Sequence, residues 1–187
     1  MHADPDGLHR ADVTNANKAK GDRYEREAVA VLCALAPDLV LPHARRKLGA
    51  GRHDDVGDLD AIDGVAVQVR FRSKVADAIR TSADDAAIQA ERAGARLGVG
   101  MVPILRAPRD GVAARWLAAS YRWPCPVPDA APVFGTTARA VTWIRTAGTP
   151  LAGRVAVVRR VGFAPITLGT IEAWVAALRE DVAAVVS

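Results

Sequence analysis

One short stretch of the chain gathers side chains that suit metal-assisted chemistry on a phosphate. Residues 46–74 read RKLGAGRHDDVGDLDAIDGVAVQVRFRSK: a basic loop broken by glycine, an acidic cluster, a tight turn, then a strand with polar residues on one side. Its acid Asp58 and amide Gln68 offer hard oxygen ligands of the kind that magnesium prefers. Its guanidinium Arg70 stays charged and can clamp a phosphate. These three residues are the candidate site.

A β-hairpin is predicted to bring the three side chains together. Asp63-Gly64 between two alternating runs is a hairpin signal. A two-residue turn would mix polar and apolar residues on each face, whereas a loop of residues 62–64 puts Gly64 at the left-handed position that this loop class needs. The faces then separate, because side chains alternate along a strand. The predicted core face is Leu59, Ala61, Val65, Val67, Val69 and Phe71, and the predicted polar face, left uncovered, is Asp58, Asp60, Gln68, Arg70 and Arg72.

The composition sets broad limits on the class of protein. At 187 residues the chain has room for one domain with a sizeable core. A net charge of +4 and a pI near 9.5 permit nucleic-acid binding without requiring it. Two cysteines, Cys33 and Cys125, make neither a disulfide scaffold nor a zinc cluster. Without a long apolar run or a signal-peptide core, we expect a cytoplasmic protein with no membrane partner.

The first half of the chain is predicted to form a mixed α/β core. Residues 1–16 show no period and are interpreted as a disordered tail. A helix is predicted from Asn17 as N-cap to Leu35, with Glu25 at the border of its buried stripe. On spacing alone, an ordinary solvated carboxylate is the favoured interpretation of Glu25. The remaining elements are an edge strand at 39–41, a helix opened by a capping-box-like Ser82 and Asp85 and ending near residue 97, and a strand at 99–105.

Residues 107–187 are predicted to be an extension that completes the same domain as the core at 17–106. Strands are expected at 112–120, 140–145 and 154–161, with a proline-rich connection at 123–132. An amphipathic helix over 171–182 has Thr170 as its cap and carries Trp174, a candidate contact between subunits.

Cationic side chains flank the candidate site and are interpreted as contacts to a phosphate backbone. Lysine and arginine neutralise backbone phosphates, although a solvated loop explains the basic run at 45–47 equally well. The candidate nucleic-acid-binding residues are Lys20, Arg45, Arg46, Lys47, Arg52, Arg72 and Lys74.

Three short motifs in order resemble those of the PD-(D/E)XK nuclease superfamily. They are Lys20-Gly21 followed by Glu25, then Gly57-Asp58, then Gln68-Val69-Arg70. The chain is most similar to the Holliday-junction-resolvase-like branch, which includes actinobacterial and phage versions, over residues 17–105. The resemblance implies a restriction-endonuclease-like fold: a mixed sheet flanked by helices, here with a C-terminal α+β extension.

The same resemblance implies a metal-dependent DNA endonuclease, acting on branched DNA and assembled as a homodimer. Asp58 is then the central ligand of Mg²⁺ or Mn²⁺, Gln68 the second through its amide oxygen, and the backbone carbonyl of Val69 a third. Glu25 reaches the metal directly or through water. The implied catalytic residues are Glu25, Asp58, Gln68 and Arg70.

Two residues depart from the pattern of the superfamily. Gln68 replaces the usual acid, which removes one negative charge and should weaken metal binding; Asp55, Asp60 or His53 could compensate. Arg70 replaces the usual lysine and cannot act as a base, because arginine stays protonated; Lys74 could substitute. Two alternatives therefore stay open: a nuclease fold that has lost catalysis and binds DNA or a partner, and an α/β domain unrelated to nucleic acid.

Overall fold

The centre of the fold is one mixed sheet. The computed structural model of the chain describes residues 6–46, 58–104 and 115–186, and in them eight strands have the order β1-β2-β3-β4-β5-β8-β7-β6. The strands are β1 Val40–Arg46, β2 Leu59–Ile62, β3 Val65–Val69, β4 Leu97–Pro103, β5 Trp116–Ser120, β6 Val133–Phe134, β7 Val155–Val158 and β8 Ile166–Thr170. Pairs β3–β4 and β6–β7 are parallel and the other neighbours are antiparallel.

Helices cover both faces of the sheet and divide the core into two layers. The helices are α1 Asp6–Leu35, α2 Val75–Ala93, α3 Thr137–Thr146 and α4 Ile171–Val186. One core cluster joins Leu32 of α1 and Trp174 of α4 to one sheet face. The other joins Ile79 of α2 and Ile144 of α3 to the opposite face. The predicted α/β class, a mixed sheet flanked by helices, is confirmed.

The C-terminal half of the chain is part of the same sheet. β5 pairs with β4 through the register Met101↔Ala118, and β8 pairs in turn with β5. Thr170 caps α4 as predicted, since its Oγ1 accepts a hydrogen bond from the N–H of Ala173 at 3.1 Å. No helix in the described ranges has the length and apolar character needed to cross a membrane.

The predicted hairpin register is confirmed. Leu59 lies opposite Val67 in the antiparallel pair β2–β3. This is the register that a three-residue loop at 62–64 imposes. Gly64 has φ +67°, a left-handed conformation that glycine adopts at little cost. β1 is an edge strand, also as predicted.

The first helix begins earlier than the sequence indicated. α1 starts at Asp6, so residues 6–16, interpreted as a disordered tail, are helical, and Asn17 lies inside the helix instead of capping it. The interpretation failed because it required an apolar period. A helix anchored by packing at its C-terminal half can extend through polar residues, since propagation costs far less than nucleation.

The second helix also begins earlier, at Val75 instead of Ser82. Ser82 is fully buried inside α2, and its Oγ donates to the carbonyl of Ile79 at 3.0 Å. A serine followed by an acid three residues on looks like a cap. Here the pair belongs to a helix that started two turns before.

The run at 140–145 was predicted as a strand and is part of helix α3. Thr136 caps this helix by accepting a hydrogen bond from the N–H of Arg139. Its inward residues Ala140, Val141 and Ile144 have helical spacing. A short apolar run fits the repeat of a strand as well as that of a helix, and here packing against the sheet favours the helix.

The terminal helix with Trp174 was predicted as a candidate interface, and Trp174 itself cannot contribute to one. Its side chain is 0% exposed within the core of the chain itself. Val182 and Val185 are the large apolar side chains that α4 exposes among its described residues.

Candidate functional site

The core of the site is an arginine held between two carboxylates. The Arg70 guanidinium donates from Nε to Asp85 Oδ2 at 2.8 Å and from Nη1 to Asp58 Oδ2 at 3.3 Å. Nη1 also donates to the backbone carbonyl of Val69 at 3.3 Å. The guanidinium therefore sits where three oxygen atoms from three parts of the chain converge. We call Asp58, Arg70 and Asp85 the carboxylate–arginine cluster.

Backbone hydrogen bonds hold the two strand residues of this cluster in place. The N–H of Asp58 donates to the carbonyl of Val67, and Asp58 Oδ2 accepts from the N–H of Val69 at 2.8 Å. The N–H of Arg70 donates to the carbonyl of Met101 in β4 at 3.0 Å. The Asp58 carboxylate thus extends the β2–β3 ladder, which leaves its side chain only 12% exposed.

Gln68 lies on the same face of the hairpin but is completely buried. The register of β2–β3 sets it opposite Asp58, and Arg70 is the next residue on its face of the strand. Its side chain is 1% exposed, and neither Oε1 nor Nε2 has a hydrogen-bond partner among residues 6–46, 58–104 and 115–186. A buried amide in this state costs folding free energy.

The prediction that the polar face of the hairpin is uncovered is therefore wrong. Helix α2 covers the part of this face that contains Gln68. Two glycines of β4 allow this helix to approach. A Cβ on Gly100 would lie 2.3 Å from Ser82 Oγ, and one on Gly98 would lie 2.4 Å from the carbonyl oxygen of Ala86. Gly100 is next to Gln68 in the parallel register, so α2 closes directly over the amide.

Asp85 is the site residue that sequence reasoning missed, since it was assigned to a helix cap. It lies one turn after Ser82, on the side of α2 that faces β3, where its carboxylate reaches Arg70. A signal existed in the sequence. The alternation Gly98-Val99-Gly100 indicates close approach of another element, and the buried stripe of α2 then orients Asp85 inward.

Glu25 is not part of the cluster that the structure describes. It is half-buried on α1, which packs on the face opposite to α2. Its neighbour Tyr24 stacks on Phe71 with ring centroids 4.7 Å apart. The described side-chain hydrogen bonds of Arg70 and Asp85 join them to each other, to Asp58 and to Val69.

Asp60 also turns away from the cluster. Its carboxylate lies 3.9 Å from His43 Nε2 on the edge strand β1. The predicted role of Asp60 in supporting the metal has no counterpart in these contacts.

The predicted basic residues lie mostly around the same end of the sheet. Lys20, Arg45, Arg72 and Lys74 are exposed. Arg45 is opposite Asp60 in the β1–β2 register, and Arg46 is opposite Leu59. Lys47, Arg52, His53, Asp55 and Gly57 lie outside the described residues.

A groove at this end of the sheet, on the α1 face, adds further charged side chains. It has a volume of about 890 Å³ and is lined by α1 together with the ends of β4 and β5 and the start of α4. Its charged residues are Arg23, Glu27, Arg115 and Glu172, beside Tyr24 and Trp116, and Arg23 is paired with Glu27 at 2.7 Å. The groove therefore offers aromatic surface and charges of both signs to a ligand that approaches this end.

The metal-binding capacity of the cluster lies in a mixed set of oxygen atoms. No group of three or more His, Cys, Asp or Glu suited to a metal occurs among the described residues. Two carboxylates and one backbone carbonyl nevertheless contact one cation, the Arg70 guanidinium, and the buried amide of Gln68 is opposite Asp58 in the β2–β3 register. Such ligands match the preference of Mg²⁺ and Mn²⁺ for oxygen.

Comparisons with known proteins add no family to this picture. No family model matches the chain, and neither characterised proteins nor solved structures gave a significant match. The functional argument therefore depends on the fold and on the contacts of the site.

Proposed function

We propose that the protein is a divalent-metal-dependent DNA endonuclease of the PD-(D/E)XK type that acts on branched DNA. One observation carries the proposal. Arg70 Nη1 lies 3.3 Å from both Asp58 Oδ2 and the Val69 carbonyl, two of the atoms that the resemblance assigns as metal ligands. Two of the proposed ligand atoms thus contact one cation, the Arg70 guanidinium.

The chemistry expected at this point is hydrolysis of a phosphodiester. Bound Mg²⁺ or Mn²⁺ would activate a water molecule and offset the negative charge that develops on the phosphate. Asp58 and the amide oxygen of Gln68 would hold the ion. Arg70 would contact the phosphate as a fixed cation, because it cannot accept a proton.

The surface around the cluster supports DNA as the substrate. β1 and β3 run in the same direction, so Arg45 and the residues after β3 reach one end of the sheet. Arg72 and Lys74 are exposed there, beside Arg70. Cations around an acidic site would contact the backbone on both sides of the bond to be cut.

A second candidate function is DNA binding or partner binding without catalysis. The observation that favours it is the state of the acidic residues. Arg70 already forms ion pairs with both Asp58 and Asp85, and Gln68 is buried under α2. If the cluster is a permanent structural ion pair, the fold binds its partner but cuts nothing.

Cleavage assays distinguish the two candidates. A four-way junction, a nicked duplex and a linear duplex are incubated with the protein in Mg²⁺, Mn²⁺ or EDTA. We expect metal-dependent cuts, with the junction preferred, that disappear in Asp58→Ala. The matched control is Asp63→Ala at the exposed hairpin turn, which should cut like the natural chain. Salt-sensitive binding without cuts favours the second candidate, and the absence of both excludes a role with DNA.

A homodimer is part of the proposal because paired cuts need two sites. The exposed Val182 and Val185 of α4 are apolar residues available for such an interface. Light scattering at micromolar concentration should give twice the mass of 19.7 kDa, and a monomer that still cuts would remove the dimer from the proposal.

A further inference from the structure

We propose that Asp85 is the second carboxylate of a divalent-cation site, and that Arg70 occupies this site until a metal ion displaces it. The inference rests on the proposed function for its location, since Asp58 and Gln68 belong to both. It adds a ligand from α2 that the sequence motif lacks, and it assigns Arg70 two positions.

The first argument is the geometry around the guanidinium. Asp85 Oδ2, Asp58 Oδ2 and the Val69 carbonyl approach one cation from a helix and two strands. Arginine is a common partner for a structural carboxylate. A guanidinium shared by two acids and a backbone carbonyl, however, fills a site with the oxygen content of a metal centre. The guanidinium stands in for the ion.

The second argument is Gln68, which the ion pairs do not explain. A structural Asp–Arg–Asp bridge needs only an apolar residue next to it on the strand. The residue opposite Asp58 is instead a 1%-exposed amide whose two polar atoms have no hydrogen-bond partner among the described residues. Such an amide lowers the free energy of unfolding, because its polar atoms leave water without gaining a hydrogen bond. A cation held between Asp58 and Asp85 would give Oε1 a ligand role, and Nε2 could then donate to a carboxylate.

The third argument is charge. The superfamily pattern places two acids on the hairpin, but this chain has Asp58 and a neutral Gln68. Asp85 restores the second negative charge from the helix above. The pair carries −2 against +1 on Arg70, so a divalent ion balances the two carboxylates better than the arginine does.

Once displaced by the metal ion, Arg70 is free to contact DNA. Its side chain is 34% exposed, so part of it already borders the solvent toward which the displaced guanidinium would turn. There it can meet the phosphate of a bound strand, which accepts a bidentate arginine well. Metal and DNA should therefore bind cooperatively, because each stabilises the displaced position of Arg70.

The test measures Mn²⁺ binding by electron paramagnetic resonance without DNA. Arg70→Gln removes the competing cation and should tighten Mn²⁺ binding by at least about tenfold. Adding Asp85→Asn to Arg70→Gln should weaken Mn²⁺ binding again by a similar factor. The control adds Asp84→Asn instead and should leave Mn²⁺ binding unchanged, because the Asp84 carboxylate accepts a hydrogen bond from the Tyr121 hydroxyl. Arg70→Gln without tighter binding, or Asp85→Asn without loss, overturns the inference.

A second measurement uses the unsubstituted chain, in case the variants fold poorly. The ¹⁵N resonance of the Arg70 Nε–H, assigned with Arg70→Lys, should shift as Mg²⁺ is added, because its bond to Asp85 breaks. A resonance that stays constant at saturating Mg²⁺ overturns the inference. Metal binding as predicted without DNA cleavage contradicts the proposed nuclease alone, and cleavage that survives Asp85→Asn contradicts this inference alone.

Discussion

At the scale of single residues, Gln68 is the most informative side chain of the chain. Its side chain is 1% exposed and has no hydrogen bond among the described residues, which lowers the free energy of unfolding. The fold does not require this glutamine, since an apolar residue of the same length would fill the space. Its position opposite Asp58, on the strand face that also carries Arg70, fits a role as a metal ligand. Metal affinity and stability should therefore change in opposite directions when residue 68 is replaced.

Gln68→Glu should tighten Mg²⁺ or Mn²⁺ binding by about tenfold or more, because a carboxylate replaces a neutral oxygen ligand. Without metal the same variant should melt at a lower temperature, since a third acid joins Asp58 and Asp85 in a buried space. Calorimetric titration and melting curves with and without Mg²⁺ measure both effects.

The matched variant is Gln68→Met, which keeps the length and removes both polar atoms. It should gain roughly 1 kcal/mol of stability and bind metal more weakly. Metal affinity that is equal in the two variants would falsify the assignment of residue 68 as a ligand.

At the scale of elements, the approach of α2 to β4 decides how the site is closed. The Cβ positions at Gly98 and Gly100 are occupied by helix atoms, so the helix lies directly on the strand. α2 ends at Ala93 and is capped by Gly94, whose φ of +60° is the left-handed cap conformation. The helix is thereby fixed at its end and along its length, which holds Asp85 over the hairpin.

Gly100→Ala should destabilise the fold by about 1–3 kcal/mol, because the new methyl group overlaps Ser82 and must push α2 outward. The displaced helix should also loosen the Asp85–Arg70 contact. Urea unfolding measures the stability. Gly135→Ala is the control, since nothing lies within 4 Å of its Cβ position. Equal stability of the two variants would show that α2 is not in close contact with the strand.

At the scale of the whole molecule, a salt bridge ties the first helix–strand corner to the last helix. Arg179 of α4 donates from Nε and Nη2 to the two carboxylate oxygens of Asp38, at 2.9 Å and 2.6 Å, and from Nη2 to the carbonyl of Leu35. The hydrogen bond to Arg179 lowers the pKa of Asp38 from 3.8 to about 2. The bidentate contact holds the layer of α1 and α4 together at the surface.

Because of this contact, part of the free energy of unfolding should depend on pH. The folded pKa of Asp38 is below its unfolded value, so its contribution is complete above about pH 4 and is lost as the pH falls toward 2. Asp38→Asn should be less stable than the natural chain at pH 6 and equal to it near pH 2. Urea unfolding at the two pH values measures the difference. A constant difference between them would contradict the role of the Asp38 carboxylate.

Local chemistry explains which predictions were confirmed. The hairpin register followed from Gly64 and from alternation over neighbouring residues, and the Thr170 cap followed from one side chain next to its helix. The start of α1, the start of α2 and the helix at 140–145 were wrong, because propagation and packing overrode signals that pointed to caps and strands.

The sequence by itself determined the hairpin and the face on which Asp58, Gln68 and Arg70 lie, because strand alternation and a glycine turn act over a few residues. Only the tertiary structure decided that α2 would cover that face, bring Asp85 to Arg70 and seal Gln68. Those contacts join residues that are distant in the chain, and the close packing of a helix on two glycines of a neighbouring strand depends on all the elements around it.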